Sequence, residues 1–361
     1  MEQQQGPTRF PGAPPEPGEG TERRISAASL HEFCRAAFEK AGLDAQSAAI
    51  AASVLVKTSL WGIDTHGVAL LPGYLKRLRD GTVKARPELH LTVSGASTAV
   101  LDADRALGVV AAYRAMEQAI DMARQSGVAL VGVRRSTHFG AGAFYAMMAL
   151  AHDMIGVAGS NGPAVMAPHG GARRAMHNMP LAAAVPALEE PPIVMDFAMS
   201  VVAMRRIARA AEAGESIPPG WGIDPAGRPT TDPRSALEGA LLPLGYKAYA
   251  LGILVDVLSG VLTGAGFGAL IPPEGHDTGH FLMAIHVGSF MRPEEFKRRV
   301  DQLIRQLRSV PPQDERWPVR VPGEGGARRQ KERLGSGIPV PAGLYEQLEA
   351  VARELGLAPP A

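Results

Sequence analysis

The pattern of apolar and polar positions divides the chain into a helical start, a mixed α/β middle and a helical end. Leu30, Phe33, Cys34, Ala37, Phe38 and Ala41 recur at the i, i+3, i+4, i+7 spacing of one helix face. Ser29-Leu30-His31-Glu32 has the Ser-x-x-Glu form of a capping box, and Gly42 supplies the stop. A second helix is predicted over 44–60, a polar break over 61–67, and a third helix over 71–79 that stops at Gly81. The middle then reads as strands at 89–93 and 99–102, a helix at 107–125 and a buried, β-branched strand at 128–133. A helix at 141–152 follows, with strands at 155–158, 181–186 and 193–197 and a helix at 201–213. A long loop begins at Ile217. It leads to an apolar helix at 247–262, a strand at 281–287 and an amphipathic helix at 293–307. Residues 316–322 read as extended, 323–333 as a charged stretch, and 344–355 as a last helix.

Composition narrows the class. Of 361 residues, 46% are hydrophobic and 20% charged, which suits a core-forming globular chain. The 37 basic and 36 acidic residues leave a formal charge of +1, with no basic patch for nucleic acid. No apolar run reaches the ~18 residues a membrane helix needs, so no membrane span is expected. Cys34 is the only cysteine, which excludes an internal disulfide and fits a reducing, cytoplasmic setting. Its place on an apolar helix face marks it as a buried thiol rather than a nucleophile. The first 24 residues are rich in Pro, Gly and Glu and read as a disordered tail. The expected organisation is that tail at 1–24, a helical region at 25–95 packing with 291–361, and an α/β region at 96–290 that carries the candidate groups.

Residues 136–180 hold the densest set of candidate groups. His138 follows the apolar run at 128–133 and precedes Phe139-Gly140-Ala141-Gly142, a strand end with open backbone beside a titratable ring. His66 lies in Asp64-Thr65-His66-Gly67, on the polar break between two helices, where it can move a proton near neutral pH. A plain helix break, with Asp64 or Thr65 as a cap, is the other reading of that stretch. Asp196 ends a strand, and Ser200 precedes a helix whose free N–H groups suit an anion. Lys247 opens the apolar helix, either reaching solvent or facing a phosphate or carboxylate. His276 and His280 have a possible ligand spacing but sit in a Gly/Pro loop, and no metal is expected. Neither a Gly-x-Gly-x-x-Gly turn at Rossmann spacing nor a Walker A loop is present.

Taken together, several stretches resemble the malate/L-lactate dehydrogenase family of NAD(P)-dependent oxidoreductases, over about residues 25–355. The resemblance is carried by Asp64-Thr65-His66-Gly67-Val68, Ser136-Thr137-His138-Phe139-Gly140-Ala141, Ser160-Asn161 and Ala167-Pro168-His169-Gly170-Gly171. Further on come Asn178-Met179-Pro180, Asp196-Phe197-Ala198-Met199-Ser200, Ile217-Pro218-Pro219-Gly220-Trp221, Pro243-Leu244-Gly245 with Lys247, and Gly337-Ile338-Pro339. It implies a non-Rossmann α/β fold with a mixed sheet and an N-terminal helical region. The implied reaction is hydride transfer between NAD or NADP and C2 of a 2-hydroxy or 2-keto acid. By resemblance, His66 and His138 face the substrate and one of them is the acid/base, with Asp64 and Thr65 beside them; Arg205 or Arg206 is expected to grip the substrate in place of the arginine the family carries where this chain has Leu70. Ser160, Asn161, Gly162, His177, Asn178, Pro180, Asp196, Ala198, Ser200 and Lys247 would line the cofactor. The family is typically homodimeric.

The chain departs from the family pattern in a consistent way. The family's arginine four residues after the first histidine is Leu70, which cannot grip a carboxylate. Its Gly-Thr-Asn-Pro reads His177-Asn178-Met179-Pro180, and its Asp-x-Ala-Thr-Ser reads Asp196-Phe197-Ala198-Met199-Ser200. A Gly-Lys pair becomes Arg205-Arg206. The expectation is an active dehydrogenase of altered specificity. The alternatives are a cyclic imino-acid reductase and a divergent member that binds cofactor weakly or not at all and serves as a binding or structural protein.

Overall fold

The computed structural model describes residues 22–361, so residues 1–21 of the expected tail lie outside the described residues. The tail reading does not hold to residue 24. Glu22–Ile25 is a strand that pairs antiparallel with Ile338–Pro341, with Ile25 opposite Ile338.

A seven-stranded sheet forms the frame. Its spatial order is His90–Gly95, Thr98–Asp102, Val128–Ser136, Thr278–His286, Met154–Ser160, Leu181–Val185, Ile193–Phe197. Only Thr98–Asp102 and Val128–Ser136 run parallel, joined by the helix Gly108–Ser126; every other pair is antiparallel. The sheet is therefore mixed. Thr278–His286 inserts between two strands from the first half of the chain, and six of its nine residues are buried, the other three half-buried. A strand covered on both faces reads as an apolar run, which is why Phe281-Leu282-Met283-Ala284-Ile285 was legible. Its polar start, Thr278-Gly279-His280, was not.

The helices Ala27–Lys40, Ala45–Leu60 and Leu71–Arg79 share one large core with Gly108–Ser126 and the C-terminal helix Ala342–Leu355. Leu30, Phe38, Leu55, Leu71, Met116 and Leu348 have no exposed surface in it. Burying each such side chain contributes about 1.5–3 kcal/mol before the entropy of ordering it is counted. Cys34 lies in the same core, and burial pushes its thiol up to about 12, so it stays protonated.

Local chemistry moves some boundaries. The first helix is capped by Ser26, whose Oγ accepts from Ser29 N–H at 3.1 Å, so the expected Ser29 capping box lies inside the helix. Asp44 caps the second helix by accepting from Ser47 N–H at 2.9 Å. The helix expected from 201 starts at Met204, and the one expected over 247–262 is α-helical only over Gly245–Asp256 before a π-helical turn at Val257–Val261. The charged stretch after 323 is a helix, Glu324–Ser336. The long loop after Ile217 holds a small sheet of Ala240–Leu241, Gly222–Ile223 and Pro229–Thr230 and a short helix, Pro233–Glu238.

Candidate active site

The break at 61–70 has a steric cause. A Cβ on Gly67 would lie 2.0 Å from Ser59 Oγ, and that hydroxyl accepts from Val68 N–H at 3.0 Å. Glycine alone lets the chain pass so close to the end of the preceding helix. The segment folds into two 3-10 turns, Asp64–His66 and Val68–Leu70, ahead of Leu71–Arg79. His66 is thereby presented at the head of the third helix, its Nδ1 2.9 Å from Thr65 Oγ1.

His138 arrives from the sheet. Thr137, just past the strand Val128–Ser136, is buried; its hydroxyl donates to Ala106 C=O at 3.1 Å and accepts from Gly108 N–H at 2.9 Å. These bonds tie the strand end to the start of Gly108–Ser126. Gly140, at φ 75°, then turns the chain through left-handed space that glycine adopts without cost. The result brings the His66 and His138 rings together, with centroids 5.7 Å apart and planes tilted by 35°. The two histidines are 72 positions apart in the chain.

Tyr74 completes the group. Its hydroxyl lies 2.8 Å from His138 Nδ1 and donates more weakly to His138 C=O at 3.4 Å. Burial holds the Tyr74 phenol well above its usual range, so it keeps its proton. His138 is pushed down to about 3, first by burial and then by the charges of His66, His177, Arg77 and His280. Burial also lowers His66. Both rings are therefore neutral near pH 7, each with one nitrogen able to accept a proton.

Behind His138, His280 is fully buried and stacks on Phe139 at 4.8 Å between centroids. Its Nδ1 lies 2.8 Å from Ser160 Oγ and its Nε2 2.8 Å from Ser136 Oγ, so both ring nitrogens are occupied inside the sheet. Burial drives it down to about 3. His280 is a pin between three adjacent strands, and among the described residues no cluster with metal-ligand character occurs.

The loops expected to line the cofactor are placed as follows. Ser160 and Asn161 are buried, and their polar atoms are committed within the protein. Ser160 Oγ donates to Asn161 C=O at 2.8 Å, while Asn161 Nδ2 donates to Asp256 Oδ1 at 2.9 Å and to Gly266 C=O at 2.8 Å. Asn161 Oδ1 accepts from Gly279 N–H at 2.8 Å. Gly162 faces the His177 ring, which would stand 3.0 Å from any Cβ there. His177 donates from Nδ1 to Pro163 C=O at 2.9 Å, and burial pushes it down to about 4. Asn178 C=O accepts from Met199 N–H at 2.7 Å, and Pro180 C=O from Ser160 N–H at 3.3 Å. Asp196 Oδ2 accepts from Ala143 N–H at 2.9 Å, and burial raises its carboxyl to about 6. Ala198 is half-buried, and Ser200 Oγ is taken by Val202 C=O at 2.8 Å.

The two altered positions beside these loops are not surface positions. Met179 and Met199 are both fully buried and share one apolar cluster with Met166, Met176, Val202 and Ile207. Gly252 gives them room: a Cβ there would touch Met176 Cε and Met199 Cγ at 3.4 Å and Met179 Cγ at 3.6 Å. Met179 sits at φ 43°, left-handed space that asparagine tolerates better than methionine. At this position, where the family has asparagine, the side chain is part of the core.

Two expected substrate contacts are engaged elsewhere. Both carboxylate oxygens of Asp64 accept from Arg333, at 2.6 and 3.0 Å. Arg205 is exposed, 3.7 Å from Glu212, and Arg206 lies over the Trp221 ring at 5.0 Å. Leu70, where the family has arginine, packs against the main core. The cation whose charge acts on His138 is Arg77, half-buried one turn beyond Tyr74, with Nη2 donating to Glu274 C=O at 2.5 Å. Sequence reasoning missed Tyr74 and Arg77 as site residues. The available signal was their i, i+3 spacing directly after the Asp-Thr-His-Gly break.

The helix Gly245–Asp256 presents one exposed cation near its start. Its first turn has no side-chain cap, and Lys247 is exposed there. Tyr246, Tyr249 and His169 cluster beside it, with His169 5.8 Å from Tyr246 and 6.4 Å from Tyr249. Leu244 N–H donates to Met199 C=O at 2.8 Å, which joins this turn to Asn178 and so to His177. Uncapped N–H groups, a free ammonium and aromatic rings fit a phosphate-bearing dinucleotide.

This architecture defines a non-Rossmann α/β oxidoreductase class, and comparison with known proteins agrees. The model of the malate/L-lactate dehydrogenase family matches residues 25–349. The chain is 37% identical to the L-sulfolactate dehydrogenase of Methanothermobacter thermautotrophicus over 318 residues, covering 86% of this chain and 91% of that protein. It is 34% identical to the ureidoglycolate dehydrogenase (NAD(+)) of Escherichia coli, covering 90% of this chain and 95% of that protein. The solved structure of sulfolactate dehydrogenase from Methanocaldococcus jannaschii superimposes with a TM-score of 0.87 at 33% identity, over 93% of this chain and 98% of that one. The chain belongs to the malate/L-lactate dehydrogenase family.

Proposed function

We propose that the protein interconverts a 2-hydroxy acid and its 2-keto acid with NAD or NADP, using His138 as the acid/base. The protein is an NAD(P)-dependent oxidoreductase, and the observation that carries the role of His138 is its 2.8 Å bond to the buried Tyr74 hydroxyl.

When bound, the nicotinamide supplies the acceptor or donor of the hydride at C2. The chain's own residues handle the proton. In the oxidative direction, His138 donates Nδ1–H to Tyr74 Oη, Tyr74 turns its own proton to His138 C=O, and Nε2 accepts the proton of the C2 hydroxyl. In the reductive direction, Nε2–H of the imidazolium returns that proton to the forming alkoxide. Tyr74 serves both states because its hydroxyl reaches Nδ1 and the carbonyl of the same residue. His66 stands beside His138 and orients the substrate oxygen, while Thr65 fixes its ring. Arg77 supplies positive charge for the substrate carboxylate in place of the residue lost at Leu70.

Lys247 and the first turn of Gly245–Asp256 hold the cofactor phosphates, with His177, Asn178 and Pro180 shaping the approach to the histidines. The protein works as a homodimer. Support comes from the apolar residues left exposed at the end of the same helix and just after it: Leu254, Val257, Val261, Leu262, Phe267 and Leu270. Among the described residues no helix is long and apolar enough to cross a membrane, and the lone, buried Cys34 suits a cytoplasmic setting.

A screen of 2-keto acids with NADH and NADPH tests the reading. Oxidation of either cofactor with at least one 2-keto acid is expected. Oxidation of neither cofactor with any of them overturns it.

A further inference from the structure

The catalytic loop is gripped by a helix from the far end of the chain. Arg333, on Glu324–Ser336, is 9% exposed, and its guanidinium donates to both oxygens of Asp64 and to Ser59 C=O. Ser59 Oγ in turn accepts from Val68 N–H at 3.0 Å. One side chain therefore touches the residue before the break and the start of the turn that carries His66, and through Ser59 it reaches the turn that follows. The same helix holds the entry to the loop: Arg329 Nε donates to Trp61 C=O at 3.1 Å, and Gly326 lies against the Trp61 ring, where a Cβ would stand 2.1 Å from Cε3.

Inside the loop the bonds are short-range. His66 N–H donates to Ile63 C=O at 2.9 Å, and Gly67 N–H to Asp64 C=O at 3.2 Å. A single 3-10 turn of this kind has weak intrinsic stability, and Gly67 adds backbone freedom. Among the described residues, the His66 side chain bonds only to its neighbour Thr65. The bonds that tie the turn to its surroundings are Ile63 N–H to Thr58 C=O at 3.1 Å, Val68 N–H to Ser59 Oγ at 3.0 Å and the ion pair on Asp64.

From this we infer that Arg333 is a positioning residue: it holds the Asp64–His66 turn, and through it the His66 ring, in register with His138. Asp64 then acts as the anchor of the turn rather than as a substrate contact. The planar fork of arginine suits the task, because it meets two carboxylate oxygens and a carbonyl from fixed directions; lysine reaches them one at a time. The inference rests on the reading of His66 as a substrate-facing residue.

The test uses the full chain with 15N-labelled histidine and the variants His66→Ala, Arg333→Met, Arg333→Lys and Asp64→Asn. The His66 imidazole signals are assigned by their loss in His66→Ala. In Arg333→Met and Asp64→Asn the His66 signals should shift while those of His280, pinned inside the sheet, stay in place, with partial return in Arg333→Lys. With a 2-hydroxy acid that the wild type turns over, kcat should fall roughly 10- to 100-fold, the scale expected for a displaced catalytic ring. The dissociation constant for NADH should stay within twofold. If Arg333→Met does not fold, Asp64→Asn carries the test, since it leaves the arginine and its packing in place. Unmoved His66 signals in the folded variants, with only a lower Tm, overturn the inference. Wild-type turnover in His66→Ala instead removes the reading of His66 on which it rests.

Discussion

Tyr74 and His138 form a hydrogen-bonded pair, phenol oxygen to Nδ1 at 2.8 Å, at the meeting point of a helix from the N-terminal region and a strand end from the central sheet. Replacing Tyr74 by phenylalanine removes one oxygen and leaves the ring in the core. The ring of His138 then loses its orienting partner and the preference for the tautomer with a free Nε2. We expect kcat to drop roughly 10- to 100-fold, with little change in Kd for NADH and a stability loss of about 1 kcal/mol. Steady-state kinetics beside a thermal melt checks this, and an unchanged kcat would detach Tyr74 from the mechanism.

The depressed histidines make stability depend on pH. His138 and His280 titrate at about 3 in the folded protein and His177 at about 4, against about 6.5 in the unfolded chain. Below pH 6.5 the unfolded state takes up protons that the folded state refuses, so stability falls as pH drops from about 6.5 toward 4. Each such group contributes up to about 1.4 kcal/mol per pH unit in that window. Asp196, raised to about 6, acts in the opposite sense between about 6 and 3.8 and offsets part of the loss. Thermal melts at successive pH values should show Tm flat above pH 7 and falling below 6. His280→Gln should reduce the slope at the cost of a lower Tm at pH 7. A Tm that rises on acidification from pH 6.5 to 5 contradicts the account.

The methionine cluster predicts how the altered cofactor loops respond to change. At Gly252 a single methyl makes ordinary contact with Met176, Met179 and Met199. Gly252→Ala should therefore be tolerated and should gain up to about 1 kcal/mol in helix propensity. Gly252→Leu should overfill the cluster and cost about 1–3 kcal/mol. Restoring a family-like threonine at Met199 should destabilise by about 2–5 kcal/mol, because it leaves a cavity and brings a hydroxyl into an apolar site. Chemical denaturation of the three variants separates these outcomes.

Much of the fold was legible in the sequence. Where apolar residues recur at helical spacing, as in Gly108–Ser126 and Ala45–Leu60, the elements lie within a residue or two of the periodic pattern. The helix Glu324–Ser336 was read only as a charged stretch because it buries Gly326 and Arg333 rather than apolar side chains. It docks through an arginine on Asp64 and a glycine on Trp61, and hydrophobic periodicity does not see such contacts. The strand start at Thr278 was missed for a related reason: Thr278 and His280 are buried polar residues satisfied by hydrogen bonds.

At the site, the two histidines stood out because each follows a break rich in small residues. Tyr74 did not, since its spacing with Leu71, Leu75 and Leu78 marks it as core, and it is core except at its oxygen. Arg205 looked like a replacement for the missing arginine because it stands at another altered position. Its helix, Met204–Ala213, buries Ile207 and leaves Arg205 in solvent. Which cation comes near the histidines depends on how helix Leu71–Arg79 is oriented, and that orientation is set by packing far away in the sequence.

Lys247 is exposed and forms no ion pair among the described residues, so its loss should leave folding untouched. Lys247→Ala should raise Kd for NADH and NADPH by roughly tenfold, the scale of one charge-assisted phosphate contact. Fluorescence titration with both cofactors checks this, and unaltered affinity for both would move the phosphate site elsewhere.

The role of His138 is tested most directly by His138→Ala, with turnover of a 2-hydroxy acid and NADH affinity measured on the same preparation. The account predicts that turnover falls by about 10²–10⁴-fold, the range of a lost general acid/base, while NADH binds with nearly wild-type affinity. Wild-type turnover in this variant would contradict it.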